Sequence, residues 1–506
     1  MSRIAVRSVV IAALVQCVVA CGSDRSTGPL GASLSIVAGG SATDTVLTEL
    51  PQALVVEVHN DQGVIEPGIV VRFEVLPDPT STLPTWQQAP LFIGPIDSPN
   101  YGNFAIDSTD ANGRARVLVK LGRMAGSERL VVSVPEFGLT DTCTYEILPG
   151  QVAGMSVSPA DTVLLAGAHL QLHARAVDAF GNDRSDAVPT YEAGSTNITV
   201  GQSGVVDATA AGRAFVLVSI GNITDTAWVS VVPAGAFVAY TNGLPGGALG
   251  VITMNNDGSG YKLIANLSTY NFGDGAGPAF SPDHGKIIFF NDQGAGDGTR
   301  LYAADVATGA LTRATPSEDN PIVREEWGRY SADGQWIYFS GARSGKGFSL
   351  WRVKPDGSAL AELGGGVGTG GNNVEWRGDP SPDGTKIAFV GDGETIQVMD
   401  IATGTIDPNI HVPGQTPRWS PDGTHIAYVR GGYVDGNAIY VMNADGSGTR
   451  LVSRTDRSYW EELDWTADGK WLLIRGRQGL EFVSVDDGEA IPLAFTRTFY
   501  HPATMR

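Results

Sequence analysis

From about residue 235 onward the chain alternates between short apolar runs and clusters of Ser, Pro, Asp and Gly. The runs Lys286-Ile-Ile-Phe-Phe, Trp336-Ile-Tyr-Phe, Lys386-Ile-Ala-Phe-Val, His425-Ile-Ala-Tyr-Val and Trp471-Leu-Leu-Ile are rich in β-branched and aromatic residues and strand-like in length, so they predict strands. Each follows one recurring phrase: Ser281-Pro-Asp-His-Gly, Ser331-Ala-Asp-Gly, Ser381-Pro-Asp-Gly, Ser420-Pro-Asp-Gly and Thr466-Ala-Asp-Gly. Pro fixes φ at the first turn position, Asp bonds its own backbone, and Gly accepts φ > 0. A third run follows, such as Leu350-Trp-Arg-Val or Ile439-Tyr-Val-Met, ending in two repeats at the hairpin pairs Asp356-Gly357 and Asp445-Gly446. A fourth short run, such as Thr449-Arg-Leu-Val, closes the unit. Four strands repeating every 40 to 50 residues or so predict one propeller blade per repeat.

The stretch Phe237-Val-Ala-Tyr, Val251-Ile-Thr-Met and Tyr261-Lys-Leu-Ile has strands two to four of a blade and lacks the first. The segment Tyr500-His-Pro-Ala-Thr-Met-Arg506 matches a first strand, Ala276-Gly-Pro-Ala-Phe280. The pattern therefore predicts a six-bladed β-propeller over 235–506, closed by the C-terminal strand, which removes two aggregation-prone edges. These repeats resemble the WD40-like PD40 repeat of the TolB-type six-bladed propeller, most closely at Ile439-Tyr-Val-Met-Asn-Ala-Asp-Gly-Ser-Gly-Thr-Arg-Leu. That family includes periplasmic interaction proteins, propellers attached to peptidases and some sugar lyases, so the resemblance implies a fold and leaves function open.

Two further β-rich stretches precede the repeats. The first, 34–147, carries Val55-Val-Glu-Val, Gly68-Ile-Val-Val-Arg-Phe-Glu-Val and Thr109-Asp-Ala-Asn-Gly-Arg-Ala. It resembles bacterial Ig-like domains of invasin type. The second, 149–233, carries Val157-Ser-Pro-Ala-Asp-Thr-Val, Val177-Asp-Ala-Phe-Gly-Asn and Thr209-Ala-Ala-Gly, and resembles a second bacterial Ig-like type. Short strands punctuated by turn signals independently predict sandwiches. The fold class is thus all-β: two Ig-like β-sandwiches, read as a stalk, then the propeller. The Pro-, Ser- and Gly-rich insert at 78–103 reads as a long surface loop.

The N-terminus carries an address. Arg3 and Arg7 precede a mostly apolar Ser8–Ala20, too short to span a bilayer. It ends Val18-Val-Ala-Cys21, which resembles a bacterial lipobox. Residues 1–20 are then a lipoprotein signal peptide, Cys21 carries the lipid, and 21–33 is a flexible tether. Gly22 follows Cys21, so an aspartate that would retain the protein at the inner membrane is missing, and an outer-membrane anchor in a bacterial envelope is expected. Of the three cysteines, Cys17 leaves with the signal and Cys143 stands alone as a buried thiol. The formal net charge of −20 argues against nucleic acid as a partner and against anionic lipid beyond the anchor itself.

Aligned on the Ser or Thr of the phrase, the residues four to six positions earlier enter each first strand. They include Glu325, Glu326 and Trp327, then Glu375, Trp376 and Arg377, then Trp460, Glu461 and Glu462, then Tyr500 and His501. Aromatics beside carboxylates on one rim suit sugars or cationic peptide segments. Two positions before the phrase, Arg329, Asp379, Arg418 and Asp464 alternate in sign and predict a structural ring of inter-blade ion pairs. His284, His411, His425 and His501 fall at different repeat positions, whereas the sugar lyases of the resembling family use clustered histidines with a metal. No metal site and no cofactor are expected, and no catalytic residue is assigned. The reading is a non-catalytic propeller binding an envelope or extracellular protein or glycan. The alternative is a lyase or hydrolase acting on envelope or extracellular polysaccharide. The sequence does not reveal an oligomeric state.

Overall fold

The computed structural model describes residues 26–27, 31–76, 91–97, 100–241, 244, 249–267, 277–291, 298–318, 320–364, 377–432, 436–454, 463–475, 479–493 and 499–506. Among them every regular element is a strand. The chain forms two compact units. One holds the residues up to Ser156 with Ala174–Pro189 and Ser219–Thr224, and the other holds Val157–His173, Thr190–Val218 and Asp225–Arg506.

In the first unit, one five-stranded sheet contains Ser26–Thr27, Ser33–Ala38, Leu54–His59, Arg114–Leu121 and Leu91–Gly94 in that spatial order. The other contains Ser41–Thr45, Leu139–Leu148, Gly126–Val134, Val70–Val75 and Phe104–Ser108. Alternation puts Leu54, Val56 and Val58 of the first sheet and Val71, Phe73 and Val75 of the second into one shared core. Cys143 is buried in that core, as is Tyr145, whose hydroxyl donates to the Gly39 carbonyl at 2.7 Å. One sequence expectation is corrected here. Residues 91–94, inside the insert read as a surface loop, pair with Leu118–Leu121 as an edge strand and bury Leu91 and Ile93. Their apolar side chains outweigh the turn-rich composition around them.

The second unit contains six four-stranded antiparallel sheets. Their inner strands, in chain order, are Ala279–Phe280, Ile322–Tyr330, Asp379–Pro380, Gln415–Trp419, Leu463–Trp465 and Phe499–Thr504. The sheets are named first to sixth in that order. The sixth is composite: Phe499–Thr504 pairs with Ala236–Thr241, which begins the repeat region. Each inner strand touches the next, and Phe499–Thr504 touches both Leu463–Trp465 and Ala279–Phe280, so the contacts return to their start. This is a β-propeller arrangement around a central channel.

The recurring phrase builds the turn between the first two strands of each of the first five sheets. The Ser281 hydroxyl donates to the Asp283 carboxylate at 2.6 Å and accepts from the Lys286 amide at 2.9 Å. The hydroxyls of Ser331, Ser381, Ser420 and Thr466 donate in the same way to Asp333, Asp383, Asp422 and Asp468, at 2.5 to 2.6 Å. Between sheets the cores are aromatic and β-branched, as where Phe290 and Leu301 of the first meet Trp327, Phe339 and Trp351 of the second. Segments of the preceding β region belong to this unit too. Val163 and Leu165 pack against the cluster of Val232, Phe237, Trp471 and Phe482.

Candidate functional site

Four residues before the phrase, four of the six inner-strand positions share an unusual backbone. Gly277, Trp327, Thr416 and His501 occupy equivalent positions and have φ of 46°, 57°, 53° and 49°. The left-handed region is easy for glycine and costly for bulky residues. The pairing register shifts at the same place, between Glu326 and Arg329 and between Gln415 and Arg418. These are β-bulges, which re-aim a side chain out of the alternating pattern.

The re-aimed side chains meet across the channel. The Trp327 ring lies 5.1 Å from that of Phe290 in the first sheet and 5.2 Å from that of His501 in the sixth. The Arg377 guanidinium, from the third sheet, sits over the Trp327 ring at 4.2 Å from its centroid, and its Nη1 donates to Thr416 Oγ1 at 3.3 Å. Contact with the first, third and sixth sheets places Trp327 near the axis. A Cβ on Gly277 would stand 2.6 Å from Trp327 Cε3, so glycine there makes room for the indole. Trp327 and Arg377 are buried, and His501 and Tyr500 are half-buried. The Trp327 indole N–H has no hydrogen-bond partner among the described residues. Arg475 stacks on Tyr500 at 4.0 Å. We call this set the collar.

The predicted rim is thus brought together only in part. Trp327, Arg377 and His501 do meet, whereas Tyr500 packs against Tyr240 and Arg475. Glu375, Trp376, Trp460, Glu461 and Glu462 lie outside the described residues, as does Cys21. Glu325 and Glu326 are corrected: they are buried rather than displayed. Glu325 accepts from the Leu301 amide at 3.0 Å, Thr315 Oγ1 at 2.8 Å and Asn320 Nδ2 at 2.7 Å. Glu326 pairs with Arg324 at 2.6 Å. Both acids bond residues of the first sheet, Glu325 at the Leu301 amide and Glu326 at Thr299 Oγ1, so they belong to the wall between the first and second sheets.

Two residues after the collar stand Arg329, Asp379, Arg418 and Asp464, and a fifth residue bridges the two acids. Arg506 crosses the channel from the sixth sheet, pairing with Asp379 of the third at 3.2 Å and with Asp464 of the fifth. Its Nη1 also donates to the Trp419 carbonyl at 3.2 Å. Both carboxylates are almost wholly buried, at 3% and 1% side-chain exposure, while Arg506 retains 26%. Burial opposes ionisation of Asp379, yet Arg506, then Arg418 and Arg329, outweigh it and hold its carboxyl below the usual range. Burial likewise opposes the Arg506 charge, and Asp379 and Asp464 more than compensate.

Arg506 adds a bridge to the expected ring: it reaches across to bind both acids, while the neighbouring Arg418 and Arg329 act on Asp379 electrostatically. Its signal was present in the sequence. Arg506 occupies the repeat position held by Pro282, Ala332, Pro382, Pro421 and Ala467, and it is the one long side chain in that column.

No family model matches the chain. The uncharacterized protein Atu1656 of Agrobacterium fabrum is 31% identical over 219 residues, covering 40% of this chain and 68% of that protein. The chain belongs to the family of Atu1656. The uncharacterized peptidase YuxL of Bacillus subtilis is 31% identical over 120 residues, covering 22% of this chain and only 18% of the peptidase. Among solved structures, TolB from Acinetobacter baumannii matches with a TM-score of 0.45 and 15% identity, over 63% of this chain and 83% of that one.

Proposed function

We propose that this chain is a lipid-anchored envelope protein whose six-bladed propeller, closed by Phe499–Thr504 and carried on two Ig-like sandwiches, binds a protein or glycan partner without chemically altering it. The observation that carries the reading is the collar. Holding non-glycine residues such as Trp327, Thr416 and His501 at positive φ costs on the order of 1–3 kcal/mol each, and such strain clusters at functional sites. Here it delivers an indole, a hydroxyl and an imidazole to one part of the channel, beside the Arg377 guanidinium.

That set supports recognition by stacking and hydrogen bonding. Among the described residues, Glu325 and Glu326 are consumed by structural hydrogen bonds, and the stacking surfaces and donors that remain favour binding. The envelope address rests on Arg3, Arg7 and the Val18-Val-Ala-Cys21 sequence, which favours lipidation at Cys21 and an outer-membrane anchor.

The test is affinity capture from detergent-solubilised envelope, with the full chain as one bait and a Tyr500→Ala, His501→Ala double variant of matched thermal midpoint as the other. A protein or glycan retained by the first and lost by the second is the expected result. Equal capture by both sinks the collar as the binding surface. Release of reducing or unsaturated sugar ends from envelope polysaccharide would overturn the non-catalytic reading.

A further inference from the structure

Beyond the collar, the channel opens into a cavity of about 230 Å³ at the end where the phrase turns lie. All six sheets contribute to its wall, including Pro282, Arg329, Pro382, Pro421, Asp464 and Arg506. Three properties of this cavity fit together.

First, it contains a finished guanidinium receptor. Asp379 and Asp464 come from different sheets, are buried, and converge on one planar cation, with the Trp419 carbonyl as a further acceptor. Two carboxylates and a carbonyl match the fork of donors on an arginine and mismatch the point charge of a lysine. Second, the present occupant reaches the clamp by its side chain alone. The Arg506 backbone follows the last strand, and its side chain alone spans the channel, remaining partly exposed. Withdrawal needs rotation of that side chain, with no strand unpaired. Third, exchange conserves charge. With Arg506 withdrawn, Asp379 and Asp464 face Arg329 and Arg418, and an incoming guanidinium restores the present balance. The prolines that line the cavity supply apolar walls for the stem of such a guest.

We propose that the Asp379–Asp464 clamp is a recognition site for the guanidinium group of an arginine in a partner polypeptide, and that Arg506 is its built-in competitor. The site lies two residues further along the inner strands than the collar and does not depend on the reading given for the collar. Arg506 acts at high effective concentration because it is tethered. Only an arginine presented with additional contacts displaces it, which sets a threshold for binding.

The test uses the full chain and its Arg506→Ala variant, titrated with N-acetyl-L-argininamide by calorimetry, with N-acetyl-L-citrullinamide as the uncharged isostere. The variant is expected to bind the arginine compound at least about ten-fold more tightly than the parent, because the tethered competitor is gone. Citrulline should bind neither, and Asp464→Asn in the variant should abolish binding. The parent should bind a pentapeptide with a central arginine and ignore its citrulline counterpart. If the variant and parent bind argininamide equally, or the variant does not bind it, the receptor is refuted. If the parent ignores the arginine peptide at millimolar concentration, displacement is refuted. Should the variant be recovered unfolded, refolding decides: a yield raised by argininamide and unmoved by citrullinamide supports the clamp, and an unchanged yield overturns it.

Discussion

At the scale of single residues, the molecule is organised by one turn and one bulge, each used repeatedly. The turn requires positive φ at its fourth position: Gly334, Gly384, Gly423 and Gly469 have φ of 66° to 71°, and His284 takes the same place at 57°. Substituting Gly384, whose added Cβ would meet nothing within 4 Å, isolates that backbone requirement. Gly384→Ala should cost about 1–2 kcal/mol in urea unfolding. Gly277→Ala adds a steric term, because Trp327 fills the space, and should cost about 1–3 kcal/mol more. Equal losses would show that the indole does not depend on Gly277. The phrase aspartates carry the pH response. Hydrogen bonds from Ser281, Ser331, Ser381 and Ser420, then from backbone amides, hold Asp283, Asp333, Asp383 and Asp422 below their ordinary range. A depressed folded pKa stabilises above the unfolded value and loses that contribution as pH falls through the folded value. The thermal midpoint should therefore hold from neutral pH to about 5 and fall progressively below about 4. Asp383→Asn should flatten part of that fall.

At the scale of elements, the decisive strand is Phe499–Thr504. It completes a sheet whose other strands lie more than two hundred residues earlier, and it pairs Phe237 with Thr504 and Tyr240 with Tyr500. Removing residues 499–506 leaves Ala236–Thr241 as an unpaired apolar edge. Such a chain should aggregate, or unfold without a single cooperative transition in calorimetry. A sharp, reversible transition at the parental midpoint would show that the strand is dispensable. Run length and turn chemistry made most of these strands legible in the sequence, and the matching of Tyr500–Arg506 to Ala276–Phe280 gave the missing partner. Leu91–Gly94 was hidden because three apolar residues inside a Pro- and Ser-rich insert carry too little pattern to outweigh their surroundings.

At the scale of the whole molecule, Arg506 ties the third, fourth and fifth sheets to the sixth. Arg506→Ala leaves two buried carboxylates without their shared countercharge, at a cost of about 3–5 kcal/mol. The cost should shrink when Asp379→Asn is added, and a double-mutant cycle on denaturation midpoints measures the difference. Strict additivity would mean that the bridge contributes nothing. Anchoring is tested separately, since Cys21→Ala should abolish fatty-acid incorporation and move the protein from the membrane to the soluble fraction. Retention of the variant in the membrane would refute the anchor.

The sequence by itself determined whatever repeats: the strand periods, the turn chemistry and the convergence of one residue column on one place. Periodicity is local, and apolar alternation with Pro, Asp and Gly states it outright. Tertiary structure decided what breaks the repeat. The bulge turns Trp327 and His501 into the channel while the preceding Glu325 and Glu326 become buried wall, although all four look alike as polar or aromatic rim residues in sequence. Arg506 likewise binds Asp379 only because ring closure brings its strand opposite the third sheet. A side chain's direction at a bulge, and its distance to a residue across a closed ring, are set by the pairing of distant strands.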